Sequence, residues 1–316
     1  MNGIELGELQ RRAVDAPPDA CVLVSGGCGT GKSVALEARA KRLNAEFPGE
    51  RIEWFRDRSD FARFAFALLP VGATIVDDVE AEDAFARACE PLFAMDWNAF
   101  SSEQLDPEIP GLHSPARFLN SAFRLIRRLR EQDLDPNTFS KRALEGATEF
   151  YGRPPNFVDP RLLSALKREY HDSLAVDAAE LQRQYRREVD LVKILAALYR
   201  RYDEAARTSG RMTGRDAVAT AVAMLRADPA SSAKYAPRFA LVDDAELLTP
   251  CETALLQLTF GTGLAHLSFA GRTVPLVPAA ESIELAHPFR TPPILLAAQN
   301  VALGRTVPPN PNVSPF

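Results

Sequence analysis

The most informative segment of the chain is CVLVSGGCGTGKS, residues 21–33. Residues 21–25 are a short apolar run and predict a buried β-strand, and residues 33–43 predict a helix. Between them, residues 26–33 fit the pattern G-x-x-x-x-G-K-[ST]. Glycines let such a loop curl so that its backbone N–H groups point at phosphate oxygens. We therefore predict a phosphate-binding loop (P-loop) at residues 26–33.

The P-loop predicts ATP and Mg²⁺ as ligands. Lys32 would bridge the β- and γ-phosphates, and the hydroxyl of Ser33 would ligate Mg²⁺. The candidate nucleotide-binding residues of the loop are Gly26, Gly27, Cys28, Gly29, Thr30, Gly31, Lys32 and Ser33.

Such a loop needs an acidic side chain at the end of a neighbouring strand, which holds the metal through water. Two apolar runs end in Asp-Asp and could supply it. One is Ile75-Val76-Asp77-Asp78, close to the loop in sequence. The other is Leu241-Val242-Asp243-Asp244, far downstream. The two positions are typical of different protein families, so the choice between them decides the functional prediction.

The pattern of the whole chain predicts an α/β fold with a mainly parallel sheet, interrupted by a mainly helical insert. A further helix is predicted at residues 60–69. The further predicted strands are residues 51–55, 73–76, 239–242, 266–269 and 282–285. We predict three segments: 1–85, the first part of the core; 86–208, the insert; and 209–316, the second part of the core, ending in a Pro-rich tail.

Apolar residues recur at helical spacing within the insert. They predict one helix from about Phe118, ended by Asp135-Pro136, and a long helix near residues 186–208. Residues 151–160 carry three prolines and predict a loop. Five arginines are expected mostly on the polar face of the first helix: Arg117, Arg124, Arg127, Arg128 and Arg130.

Composition narrows the class of protein. The net charge of −5 argues against general nucleic-acid binding but leaves room for a local patch, and residues 183–215 hold nine bases and four acids. An ordinary solvated helix face explains that excess equally simply. The start of the chain lacks the pattern of a signal peptide, and no apolar run approaches the roughly 20 residues of a membrane span. We therefore expect a cytoplasmic protein with no membrane partner and with reduced, widely spaced cysteines.

With the distant acidic pair, the chain resembles the UvrD/Rep-like superfamily 1 DNA helicases, which act in DNA repair. Gln10, ahead of the P-loop, stands where the family has an adenine-reading glutamine. The helical insert separates the P-loop from Asp243-Asp244 as in the family. His287-Pro288-Phe289-Arg290-Thr291 resembles the family's aromatic-Arg motif, in which the aromatic ring stacks on adenine and the arginine touches the γ-phosphate.

The resemblance implies the N-terminal, RecA-like ATP-binding domain of a DNA-dependent ATPase. It implies Lys32, Asp243, Asp244 and Arg290 as catalytic residues, and Ser33 with Asp243 as metal ligands. Gln10 and Phe289 would join the P-loop in binding the nucleotide. Single-stranded or tailed DNA would be the track. A second RecA-like domain does not follow the aromatic-Arg motif here, which a truncated sequence, a separate partner chain that supplies the domain, or a degenerate scaffold would each explain.

The chain departs from the family pattern in three places. Asp244 replaces the catalytic glutamate and is one methylene shorter. Ala270-Gly271-Arg272 lacks the aspartate of the γ-phosphate sensor, and no glutamine follows. The threonine-rich DNA-contact motif is missing after the second strand, although Leu112-His113-Ser114 faintly resembles another DNA-contact motif.

These departures support a second hypothesis, a nucleotide-binding scaffold subunit without useful turnover. The near acidic pair supports a third, a DnaA-like AAA+ ATPase that uses Asp77 and Asp78.

Overall fold

The computed structural model describes residues 6–27, 29–93, 115–152, 178–229, 236–261, 264, 266–271 and 281–285. The strands are β1 (Val22–Gly26), β2 (Ile52–Phe55), β3 (Thr74–Ile75), β4 (Arg211–Met212), β5 (Phe239–Val242), β6 (Leu267–Gly271) and β7 (Glu281–Leu285). The helices are α1 (Glu8–Asp15), α2 (Lys32–Glu46), α3 (Arg58–Leu68), α4 (Asp78–Phe93), α5 (Pro115–Glu131), α6 (Pro136–Gly152), α7 (Ala178–Ser209), α8 (Gly214–Ala227) and α9 (Pro250–Phe260). A 3₁₀ turn, Ala245–Leu247, follows β5.

The chain divides into two compact units. The first consists of residues 1–70 and 217–316, and the second of residues 71–216. The sequence analysis placed these boundaries at 85 and 208. Residues 71–85 belong to the second unit and not to the first, because α4 buries Ala81 and Phe85 in the core of the second unit.

The first unit is an α/β structure built on a five-stranded parallel sheet, which confirms the predicted α/β class. The strand order is β2-β5-β6-β1-β7, and every pair in the sheet is parallel. The inner strands β5 and β6 are buried along their whole length, as expected of strands covered on both faces. α1 and α2 cover part of the sheet, where Ala13, Ala35 and Ile283 share one apolar cluster.

The predicted third core strand does not join this sheet, so that prediction is wrong. β3 pairs instead with β4 in a separate two-stranded sheet of the second unit. Ile75 is 50 % exposed, although its apolar run resembles a buried strand. The local sequence predicted extended backbone correctly, but the partner strand lies more than a hundred residues away and decides which sheet forms.

The second unit is mainly helical, as predicted for the insert. Phe85, Phe123 and Tyr202 form an aromatic centre between α4, α5 and α7. α7 is longer than predicted, and α6 occupies residues 151–152 of the predicted loop, whose remaining residues lie outside the described part. Asp135 accepts hydrogen bonds from the amides of Asn137 and Thr138, so Asp135-Pro136 begins α6 as well as ending the preceding segment.

Arg130 departs from the expected polar face of α5. It is buried, and its guanidinium forms ion pairs with Asp216 (3.1 Å) and Asp203 (3.0 Å). The hydroxyl of Tyr202 donates a 2.6 Å hydrogen bond to the other carboxylate oxygen of Asp216. The arginine is therefore a polar anchor inside the helical core.

Candidate nucleotide-binding site

The predicted P-loop connects β1 to α2 at the carboxyl end of the sheet. β1 is an internal strand, flanked by β6 and β7. Ligands of open α/β sheets bind outside the carboxyl ends of the strands, so the loop stands where a ligand is expected. α2 begins at Lys32, and the N–H groups and partial positive charge of its first turn favour an anion there.

Glycine is required at several points of the loop. Gly29 and Gly31 have φ values of 74° and 82°, in the left-handed region. Gly26 has φ 152°, and a Cβ on it would lie 2.7 Å from the carbonyl oxygen of Leu285 and 2.8 Å from Oγ1 of Thr30. The backbone path of the loop is thus one that side chains at these positions would oppose.

Lys32 lies back along the loop. Its Nζ donates hydrogen bonds to the carbonyl oxygens of Gly26 (3.1 Å) and Gly27 (3.0 Å). Thr30 Oγ1 donates to the Gly27 carbonyl at 3.0 Å. The ammonium group is therefore held against the backbone at the start of the loop, and its contact with phosphate stays a prediction.

Gln10, on α1, is hydrogen-bonded to the backbone of the loop. It is only 4 % exposed, and its Nε2 donates to the carbonyl oxygens of Thr30 and Gly31, both at 3.3 Å. Its Oε1 accepts from the amide of Gly7 at 2.9 Å. The structure thus brings Gln10 to the P-loop as the sequence suggested, with its amide on the loop backbone. Its contact with adenine stays a prediction.

Arg39 supports this arrangement and was missed by the sequence analysis. Its five hydrogen bonds join α2 to the carboxyl end of α1 and to β6. The acceptors are Ser268 Oγ and the carbonyl oxygens of Ala13, Val14, Ala16 and Pro17. Burial, more than the neighbouring charge of Arg42, lowers the pKa of the Arg39 guanidinium to about 10, so it stays protonated at neutral pH. The available signal was its position on the stripe of buried residues of α2: Ala35, Leu36, Arg39 and Leu43.

The distant acidic pair follows β5, in the same sheet as the P-loop. β6 separates β5 from β1, so the two carboxyl ends are about 10 Å apart at the usual strand spacing. Asp243 is half-buried, and its Oδ1 accepts from the Asp244 amide at 3.0 Å. Asp244 is exposed and has φ 46°, a left-handed conformation that aspartate tolerates better than most residues.

The near acidic pair has other roles in the second unit. Asp77 Oδ1 accepts a 2.8 Å hydrogen bond from the Glu80 amide at the start of α4. Asp78 pairs with Arg127 at 2.7 Å. Both residues follow β3, which lies outside the P-loop sheet, so these contacts describe a capped and ion-paired helix start.

Mg²⁺ fits the residues at the P-loop only together with nucleotide. Among the described residues, no group of three or more His, Cys, Asp and Glu side chains could hold a metal ion alone. Mg²⁺ commonly takes one or two protein ligands and completes its shell with phosphates and water. Ser33 at the start of α2 and Asp243 after β5 are oxygen ligands of the kind that such a set needs, and their role as metal ligands stays a prediction.

The basic segment of α7 to α8 is largely compensated by neighbouring acids. Five of its cations form ion pairs within the second unit: Lys193 with Asp190, Arg201 with Glu204, Arg207 with Asp203, Arg211 with Glu80, and Arg215 with Glu131. This pattern is typical of a solvated helix surface.

Several candidate residues lie outside the described part of the chain: Cys28, Leu112-His113-Ser114, Arg272, Phe289 and Arg290. Comparison with models of known protein families and with curated proteins gave no match for this chain. Across the described helices, none combines the length and the apolar character needed to cross a membrane.

Proposed function

We propose that this chain binds ATP with Mg²⁺ at the P-loop and hydrolyses it as the RecA-like N-terminal motor domain of a UvrD-like DNA translocase. The observation that carries the proposal is the glycine-rich loop of residues 26–33 between an internal parallel strand and the first turn of a helix. Gln10, hydrogen-bonded to that loop, supports the UvrD-like assignment over other P-loop proteins.

The loop amides, the first turn of α2 and Lys32 would stabilise the negative charge that develops on the γ-phosphate. Mg²⁺, when bound between Ser33 and Asp243, would neutralise charge on the β- and γ-phosphates. Phe289 and Arg290 would complete the site as the family resemblance implies. Single-stranded or tailed DNA would be the track, and a second RecA-like domain in a partner chain would allow translocation. A cytoplasmic location would suit this activity.

The sheet order favours Asp243 over the near acidic pair as the metal ligand. β5 belongs to the P-loop sheet, whereas β3 pairs only with β4 among the described strands. The DnaA-like alternative needs Asp77 and Asp78 beside the P-loop and has no support from the strand order.

The test is a titration of the whole chain with a fluorescent ATP analogue and Mg²⁺, followed by phosphate release with and without single-stranded DNA. Lys32→Ala removes the ammonium group that the loop holds. Lys41→Ala is the matched control, because Lys41 lies on the same helix, is exposed and pairs only with Glu37 among the described contacts. We expect at least about a tenfold loss of nucleotide affinity in the first variant, as for loss of one charged contact, and no change in the second.

Three outcomes separate the hypotheses. Binding with DNA-stimulated phosphate release, both lost in Lys32→Ala, supports the motor domain. Binding without release supports the nucleotide-binding scaffold. Absence of binding by the wild-type chain refutes the P-loop assignment.

A further inference from the structure

The 3₁₀ turn after β5 places a third carboxylate near the P-loop. A Cβ built on Gly271 would lie 2.6 Å from Oε2 of Glu246 and 3.3 Å from the amide nitrogens of Ala245 and Glu246. Glu246 therefore folds over the last residue of β6. A side chain at position 271 would have to displace the Glu246 carboxylate.

The register of the sheet puts this carboxylate close to the phosphate site. Gly271 is paired with Ser25, the residue before the first glycine of the P-loop. The backbone of Gly271, which this carboxylate covers, is therefore about one strand spacing, roughly 5 Å, from β1. Asp243 and Asp244 follow β5, whose distance from β1 is twice as large.

The backbone explains how the chain reaches across β6. Asp244 has a left-handed conformation, and the Leu247 amide then bonds to the Asp244 carbonyl at 2.8 Å. This tight turn leaves Asp244 exposed and Glu246 half-buried at the sheet end. The Glu246 carboxylate is thus more shielded from bulk solvent than that of Asp244.

We propose that Glu246, rather than Asp244, is the catalytic carboxylate that activates water for ATP hydrolysis. This inference rests on the proposed function. The water oxygen forms a bond to the γ-phosphorus, and its proton passes to the Glu246 carboxylate. The bond from the γ-phosphorus to the β–γ bridging oxygen breaks, and its electron pair stays on the β-phosphate of ADP. The products are ADP and inorganic phosphate.

The first test compares kcat and nucleotide affinity in Glu246→Gln, Asp244→Asn and Glu284→Gln. Glutamine keeps the shape of Glu246 and removes its basicity. Glu284 is the matched control, because it lies on β7, the other neighbour of β1, where it is in register with Ser25. Glu284→Gln therefore removes a negative charge at the same level of the sheet but on the other side of β1. We expect Glu246→Gln to lose about 100-fold or more in kcat, as for loss of a general base, with nucleotide affinity within about threefold of wild type. Asp244→Asn should lose less, and Glu284→Gln should behave as wild type.

The second test moves the carboxylate without removing it. Gly271→Ala places a methyl group against Oε2 of Glu246, the far end of a flexible side chain that can move away. We expect kcat to fall in the wild-type background but not further in the Glu246→Gln background. An equal loss in both backgrounds would mean a purely structural effect and would overturn the proposal.

The remaining outcomes are also decisive. A loss of kcat smaller than about tenfold in Glu246→Gln overturns the catalytic role, because general bases contribute more than that. A wild-type chain that binds nucleotide without turnover overturns it as well, while ATP binding stands. A wild-type chain that binds no nucleotide overturns the proposed function itself.

Discussion

Replacing Arg39 by methionine tests whether one buried arginine ties α1 to α2 and β6. Methionine fills much of the same apolar volume but donates no hydrogen bonds. The substitution removes all five hydrogen bonds that Arg39 donates, to Ser268 Oγ and to four carbonyl oxygens at the end of α1. α1 carries Gln10, so both the fold and the loop should respond.

The expected loss follows from the five contacts. Hydrogen bonds to a charged group contribute about 1.5 kcal/mol each at the lower end, which gives roughly 7 kcal/mol for Arg39. Burial lowers the pKa of this guanidinium from 12.5 to about 10, which corresponds to a cost of roughly 3 kcal/mol that methionine avoids. The free energy of unfolding should therefore fall by about 4 kcal/mol, near the upper end for a single substitution.

Urea unfolding followed by Trp54 fluorescence measures this loss in the first unit. Trp97, the only other tryptophan, is replaced by phenylalanine in all variants, so the signal comes from β2. With a slope of about 2 kcal/mol per molar urea, the midpoint should move down by about 2 M.

Arg42→Met provides the matched control. Arg42 donates to two of the same carbonyl oxygens, those of Val14 and Ala16, but its side chain is 29 % exposed and water can replace it. We expect a loss below about 1 kcal/mol there. A loss of that size in Arg39→Met, or equal losses in the two variants, would refute the reasoning.

Two further predictions concern the second unit and the buried thiols. Tyr202→Phe removes a buried 2.6 Å hydrogen bond to Asp216 and should lower the free energy of unfolding by about 1–2 kcal/mol, whereas Tyr185→Phe, which removes an exposed hydrogen bond with Thr148, should change it little. Urea unfolding followed by far-ultraviolet circular dichroism measures both, because that signal includes the helices of the second unit. Burial raises the pKa of the Cys89 thiol to about 12 and that of Cys21 to about 11, so both should resist thiol reagents at mildly alkaline pH until the chain unfolds. Mass spectrometry of the modified peptides checks this, and rapid labelling of either cysteine in the folded chain would contradict it.

The sequence predicted those parts of the fold that depend on contiguous residues. The strand of residues 22–26, the loop after it and the helix from Lys32 all follow from local apolar runs and glycines, and the structure contains each of them. β5, β6 and β7 were likewise identified within two residues at each end. β5 and β6 carry strong local signals because both of their faces are buried.

Contacts between distant residues could not be predicted in this way. Arg39 is hydrogen-bonded to Ser268, 229 positions further along the chain. No local pattern indicates that an arginine on the apolar stripe of α2 lies beside a cluster of carbonyl oxygens. The position of Glu246 depends in the same way on Gly271, a glycine whose role is visible only when the 3₁₀ turn lies against β6. Polar groups inside a core are placed by tertiary structure, whereas periodicity predicts only that the site is buried.

The two Asp-Asp pairs show most clearly what local sequence leaves open. Both follow a short apolar run, and only strand pairing separates them: β5 enters the P-loop sheet, and β3 does not. β6 lies between β5 and β1, and Glu246 of the acidic turn after β5 covers Gly271 at the end of β6. Gly271 is in turn in register with Ser25 of β1. The sheet order and one glycine thus connect the acidic turn to the P-loop, and a side chain at position 271 should separate them.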